Sequence, residues 1–275
     1  MSIDLVRVND YIRSFAKLID EQGTNKYKGQ LKVGVDLGTA NIVLSVVDES
    51  GKPVAGALHP ASVVRDGLVV DYVEAVGIVR KLKEQVEKLL GTTLTYAATA
   101  VPPGTMGGNM KAISNVVEAA DMEVVNIVDE PTAAASVLKV TDGAVVDVGG
   151  GTTGISILKN GQVVYTADEP TGGTHMTLVV AGNYKISFEK ADKLKKDHAK
   201  QREIFPLIRP VVEKMAAIVK SHIRGSGVNK IYVVGGACCF DEFEKVFYEE
   251  IGVETIKPVH PLLITPLGIA LNCVE

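Results

Sequence analysis

The chain has no tryptophan, three cysteines among its 275 residues, and only 5% aromatic residues. So few rings, with a net charge of -4, leave neither the stacking platform nor the basic face that nucleic-acid binding needs. Cys238 and Cys239 are adjacent and Cys273 lies far from them, which fits neither a disulfide framework nor a zinc-ligand spacing. Buried, reduced thiols are the expectation. Long apolar runs are missing too. Stretches such as IYVV at 231–234 have the length of a strand, and the first residues show no basic start leading into an unbroken apolar core. Residues 1–22 set Arg7, Arg13 and Lys17 against Asp4, Asp10, Asp20 and Glu21, so they lack the basic excess that draws a helix to an anionic membrane. A cytoplasmic protein without membrane attachment is expected.

What is present suits a globular protein: 46% hydrophobic and 23% charged residues, enough to bury one large core or two modest ones. Two acidic glycine turns carry the most information. DVGGGTT at 147–153 follows the apolar run AVV at 144–146, and VGVDLGT at 33–39 lies well upstream. Glycines bring bare N–H groups against an anion, whereas an Asp at a strand end suits a hydrated divalent cation. Either turn alone is compatible with a strand running into a loop. As a pair they repeat one pattern of strand, acidic Gly-Thr turn, strand and hairpin turn, with Asn160-Gly161 a type I′ signal in the second copy. The pattern predicts an internal duplication and two similar α/β lobes with nucleotide and metal between them.

Hydrophobic periodicity predicts an amphipathic helix over 3–21, with Val8, Tyr11, Ile12, Phe15, Leu18 and Ile19 along one side, then a polar linker at 21–30. Further helices are expected at 73–90, 106–120, from 133, and at 174–183, 187–201 and 206–224, with another opened by Asp241. Strands are expected at 94–101, 124–128 and 231–234. The domain expectation is a helix and linker over 1–30, a first lobe over 31–140 on which 265–275 pack back, and a second lobe over 141–264.

With these pieces placed, the chain beyond residue 31 resembles the actin and Hsp70 superfamily of ATPases. Five motifs match in order: VGVDLGTAN at 33–41 and DVGGGTT at 147–153 resemble the two phosphate motifs, DEPTAAA at 129–135 and TPLGIA at 265–270 the two connecting motifs, and VVGGA at 233–237 the adenosine motif. The stretches at 51–71 and 185–192 are similar to an Hsp70-like branch encoded with the machinery of bacterial ethanolamine utilisation and its microcompartment.

The resemblance implies a duplicated, ribonuclease H-like two-lobe ATPase fold binding ATP or ADP with Mg2+. Asp36 and Asp147 would position the metal through its waters. Gly38, Thr39, Ala40, Asn41, Gly149, Gly150, Gly151, Thr152 and Thr153 would hold the phosphates, joined by Gly172 and Gly173 of the second Gly-Gly turn. Asp192, Lys195, Gly235, Gly236 and Ala237 would surround the nucleoside. Glu130, with Asp147 and Thr152, would serve catalysis by orienting the attacking water, although an acid just before Pro131 is also an ordinary helix-start residue. Asp192 and Lys195, one turn apart, equally fit a solvated surface pair.

Departures from the family pattern bear on rate. Ala40 replaces a second hydroxyl, and the interval from Tyr72 to Val101 has no room for the insert that supplies a catalytic Lys in Hsp70. His175 follows the second Gly-Gly turn where an acid is common; a helix-start role is expected for it. Slow hydrolysis follows, because phosphoryl transfer needs several groups acting together. Three classes stay open: a chaperone or reactivating factor for an ethanolamine-pathway enzyme or shell protein, an actin-like filament or scaffold, and a sugar or acid kinase. The apolar face of the N-terminal helix fits either packing on the core or targeting to a microcompartment.

Overall fold

The computed structural model describes residues 4–65 and 67–274. The expected helix start at residue 3, Asp66 in the 51–71 stretch and the last position of 265–275 lie outside the described residues.

The first part of the chain runs α1 (Leu5–Asp20), β1 (Lys32–Leu37), β2 (Asn41–Val47), β3 (Pro53–Pro60), the short hairpin β4 (Val64–Arg65) and β5 (Leu68–Val69), α2 (Tyr72–Leu90), β6 (Tyr96–Val101), α3 (Gly107–Glu118), β7 (Glu123–Asp129) and α4 (Glu130–Leu138). Then follow β8 (Gly143–Val148), β9 (Thr153–Lys159), β10 (Gln162–Glu169), α5 (Gly173–Tyr184), α6 (Phe188–Lys196), α7 (Gln201–Ile223), β11 (Lys230–Val234), α8 (Phe243–Ile251), β12 (Glu254–Ile256) and α9 (Ile264–Leu271). Among the described residues, apart from the β4-β5 pair, these strands form two five-stranded sheets, ordered β3-β2-β1-β6-β7 and β10-β9-β8-β11-β12. In each, an antiparallel three-strand meander leads into two parallel strands. The duplication seen in the glycine turns is therefore a duplication of topology. Asn160 and Gly161 turn the second meander with φ of 52° and 75°, the two positive values a type I′ hairpin requires.

Each sheet builds its own core. Val33, Val35, Leu44 and Val46 of the first face Val79, Leu82 and Val86 of α2, and Val146, Ile155 and Ile157 of the second face Ile208, Val212 and Met215 of α7. A third cluster joins α1, α4 and α9 to residues of both sheets, among them Val47, Val145 and Tyr232. Gly268 lets α9 lie directly on α4, since a Cβ there would stand 1.9 Å from the Ala133 carbonyl oxygen. α9 thus returns to the first sheet, where a Gly34 Cβ would meet the Ala270 nitrogen at 2.5 Å.

Asp4 caps α1 by accepting the Arg7 N–H. The apolar side of α1 is buried at Val8, Ile12, Phe15, Ala16 and Leu18, and the Phe15 ring covers Gly56 of β3. Of the two readings of this face, packing on the core is what the structure has. The prolines shift one expectation. Instead of helices at 187–201 and 206–224, α6 stops at Lys196, a 3-10 turn covers His198–Lys200, and α7 begins at Gln201 with Pro206 and Pro210 inside it. Asp197 interrupts the first helix by accepting the Ala199 N–H at 2.9 Å. Both prolines are exposed, so the carbonyls they leave unbonded, at Arg202 and Pro206, can turn to water. α4 starts at Glu130 rather than at 133, and α8 starts two residues after Asp241.

Candidate functional site

Asp36 and Asp147 hold equivalent places: each is the last residue but one of the central strand of its sheet, and each is followed by a glycine turn. The duplicated topology points both turns into one cleft of about 610 Å3. They come close to touching across it, since a Cβ on Gly150 would stand 2.9 Å from Thr39 Cβ. The second turn is pinned from outside. Gly149 N–H donates to the Thr152 carbonyl at 2.9 Å, while Gly173 and Thr174 at the start of α5 donate to the carbonyls of Gly149 and Gly150 at 2.9 and 2.7 Å.

Most of the residues singled out from the sequence converge here. Asp36, Gly38, Thr39, Ala40 and Asn41 line the cleft from the first lobe, with Glu130 at the start of α4. Asp147, Gly149, Gly150, Gly151, Thr152, Gly173, Asp192, Lys195, Gly235, Gly236 and Ala237 line it from the second. Thr153 and Gly172 are not in the wall. Thr153 is fully buried and its hydroxyl donates to the Thr171 carbonyl at 2.7 Å, so it secures the turn from behind. Gly172 lies under the turn, and its N–H donates to His175 Nδ1 at 3.4 Å, which makes His175 a helix-start residue.

Carboxylates crowd the end of the cleft where the two glycine turns meet. Burial, and then the charge of Asp147, push Asp36 up to about 7. Burial pushes Asp147 up to about 6, partly opposed by the hydrogen bond that Thr265 donates to it. Glu130 is held well above the usual carboxylate range by burial and then by the charges of Asp147, Asp36, Asp168 and Asp129. It is not the helix cap: Asp129 accepts the Thr132 N–H at 3.1 Å, which leaves the Glu130 side chain to the cleft. Gly235, at φ 93°, lets β11 end against this cluster, because a Cβ there would stand 2.3 Å from Asp147 Oδ1.

The other end of the cleft is basic. Lys195 donates to the Gly173 carbonyl at 2.9 Å and to Thr177 Oγ1 at 2.6 Å, and lies 3.0 Å from Asp192. Its side chain is 10% exposed, so this is no solvated surface pair. Burial depresses Lys195. Burial raises Asp192, but Lys196 and Lys195 together bring it below its ordinary value.

Several wall residues escaped the sequence reading: Lys193, Lys196, His198, Gln201, Cys239, Phe240, Leu262 and Thr265. Lys196 was visible as an i,i+4 partner of Asp192 and Thr265 as the head of the second connecting motif. Nothing in the sequence marked His198, Gln201 or Phe240, which reach the cleft only because α6 breaks at Asp197 and the turn after β11 folds inward. Cys238 is buried and donates to the Gly235 carbonyl at 3.1 Å, and none of the three cysteines is in a disulfide.

The described residues contain no group of three or more His, Cys, Asp or Glu side chains placed to grip a metal directly. Two facing carboxylates beside an open cleft suit instead a cation that keeps most of its water, as Mg2+ does. No described helix is long and apolar enough to cross a membrane.

The model of the MreB/Mbl protein family matches residues 52–190, and that of the type IV pilus assembly protein PilM matches residues 138–262. Ethanolamine utilization protein EutJ of Escherichia coli (strain K12) is 46% identical over 241 residues, covering 87% of this chain and 85% of that protein. The crystal structure of EutJ from Carboxydothermus hydrogenoformans superposes with a TM-score of 0.92 at 52% identity, covering 98% of this chain and 99% of that one. MreB 5 of Spiroplasma citri, solved bound to AMPPNP, shares the fold at 17% identity with a TM-score of 0.68, covering 89% of this chain and 96% of that one. Duplicated sheets, facing glycine turns and these likenesses agree, and the chain belongs to the family of the ethanolamine utilization protein EutJ, within the actin-like and Hsp70-like superfamily.

Proposed function

We propose that the protein binds ATP or ADP with Mg2+ between its lobes and hydrolyses ATP slowly. In this reading the associated lobe movement serves a chaperone or reactivating role toward an enzyme or shell protein of ethanolamine utilisation, in the cytoplasm or beside a microcompartment. The observation that carries the reading is the pairing of Asp36 and Asp147 from equivalent strands of opposite lobes, each beside a glycine turn, with Glu130 in the same cleft and within reach of both charges. Solved MreB 5 bound to AMPPNP, and also to ADP, supports a nucleotide in a cleft of this fold.

Bound Mg2+ would supply positive charge against the phosphate oxygens. Asp36 and Asp147 would hold its waters, and the turn at 149–152 would present its backbone to the phosphates. Glu130, its proton affinity raised by burial and then by the surrounding acids, would orient the attacking water. Asp192 and Lys195, tied to each other and to α5, would form a fixed polar wall for the nucleoside. A protein partner is supported by the exposed apolar residues Leu68, Val70, Tyr72 and Val73 at the β5–α2 junction. They adjoin Gly67, which lines the cleft.

Asp147→Ala should remove most of the magnesium-dependent gain in ADP affinity, about tenfold or more, in calorimetric titrations with and without Mg2+. Equal affinities for mutant and parent in Mg2+ would defeat the metal assignment. Glu130→Ala should bind ATP like the parent yet release phosphate about 100-fold more slowly in a single turnover. An unchanged rate would leave Glu130 a helix-start residue only.

A further inference from the structure

The polypeptide crosses between the sheets twice, through α4 from β7 to β8, and through residues 257–263 from β12 to α9. Rotation of one lobe against the other must turn about those two crossings. α1 touches both, and none of its residues lines the cleft.

On the first lobe its hold is broad. The Tyr11 hydroxyl donates to the Gly51 carbonyl at 2.7 Å, and Phe15 sits on Gly56. The stretch that follows α1 is tied to the same lobe, because the Asn25 side-chain amide donates to the Pro53 carbonyl at 3.0 Å and its backbone N–H to Val54 at 2.9 Å. On the crossing that leaves the second sheet the hold is narrower, one hydrogen bond beside a shared apolar cluster. Asn9 Oδ1 accepts the Val259 N–H at 3.1 Å. Between these anchors, Val8 and Ile12 share one apolar cluster with Val137 and Leu138 of α4 and with Leu263 of the second crossing.

We infer that α1 is a brace across the hinge: seated, it ties the first lobe to the crossing at Val259 and limits the lobe rotation that frees a ligand from the cleft. The geometry is asymmetric in a useful way. α1 cannot leave the first lobe without exposing Phe15 and Ile12, both fully buried, whereas its hydrogen bond to Val259 can open while α1 stays in place. Lobe opening is therefore opposed by breaking that bond and shearing the Val8–Leu263 side of the cluster, and the helix need not unfold. The consequence for nucleotide release rests on the proposed function of the cleft; the consequence for lobe motion does not.

The test uses the full chain with Asn9→Ala, which removes the acceptor, and Asn9→Asp, which keeps one. Two quantities are measured: hydrogen exchange of the amides at 149–152 in nucleotide-free protein, where the two turns meet across the cleft, and release of a fluorescent ADP analogue by stopped flow. Val259 loses its own acceptor in Asn9→Ala and is no readout. Asn9→Ala should speed both processes about two- to tenfold, the factor one net hydrogen bond is worth, and Asn9→Asp should stay close to the parent. Unchanged exchange at 149–152 in Asn9→Ala overturns the brace. So does a lowered melting temperature with unchanged exchange, since α1 would then be core packing alone. Faster exchange in a protein whose parent form binds no ADP analogue would sustain the brace and defeat the nucleotide reading.

Discussion

At the scale of single residues, the cleft buries carboxyl groups whose charge it disfavours. Asp36 and Asp147 ionise near 7 and 6 because burial, and for Asp36 also the facing aspartate, disfavour their charge. A carboxyl whose folded-state value is raised binds its proton more tightly in the folded chain than in the unfolded one. The stability it contributes is full below about pH 4, and it is lost as pH rises to the folded value of about 6 to 7. Asp36→Asn copies the protonated form permanently. In metal-free, nucleotide-free protein it should therefore raise stability by an amount that grows from pH 4 to 7 and levels off above, reaching at most about 4 kcal/mol. Thermal melts across that range check this, and a gain that does not vary with pH would mean that folding does not raise the proton affinity of Asp36. The same substitution should weaken magnesium dependence, so stability and function would move in opposite directions at one residue.

At the scale of elements, the crossing of α4 and α9 is the tightest joint. Gly268 faces a backbone carbonyl rather than a flexible side chain, so nothing nearby can yield to an added methyl. Gly268→Ala should cost about 2 to 4 kcal/mol by pushing the helices apart, seen as a lower urea midpoint. A neutral result would mean the helices separate freely. The start of α2 was legible to within a residue, where Asp71 caps it by accepting the Glu74 N–H at 2.9 Å, but that of α4 was not, although Asp129 caps it. Nor was that of α7, where Pro206 argues for a start and only the exposure of its face allows the helix to run through. The short hairpin of β4 and β5 also went unseen, because two-residue strands leave no period to detect.

At the scale of the whole molecule, two sheets of the same strand order are held together by α4, α9 and α1. α1 buries Val8, Ile12, Phe15, Ala16 and Leu18. At about 1.5 to 3 kcal/mol for a large apolar side chain, removing residues 1–22 should cost several kcal/mol and lower the melting temperature by about 10 °C or more. An unchanged melting temperature would instead favour the targeting reading of that helix.

The sequence by itself determined the duplication, the two glycine turns and the acids beside them, because these depend on short runs whose spacing is set by strand length and by the few residues that tolerate tight turns. It also determined the apolar side of α1, through a 3.6-residue period. Only the tertiary structure decided what that side covers, since a periodic stripe says that a face is buried but not against what. The same holds for the Thr265 bond to Asp147, which joins residues 118 positions apart, and for His198, Gln201 and Phe240 in the cleft wall. Local propensity acts over a turn or two of chain. The distance between α9 and β8, or between α1 and Val259, is set by how two cores and their shared cluster pack, and no local run of residues encodes it.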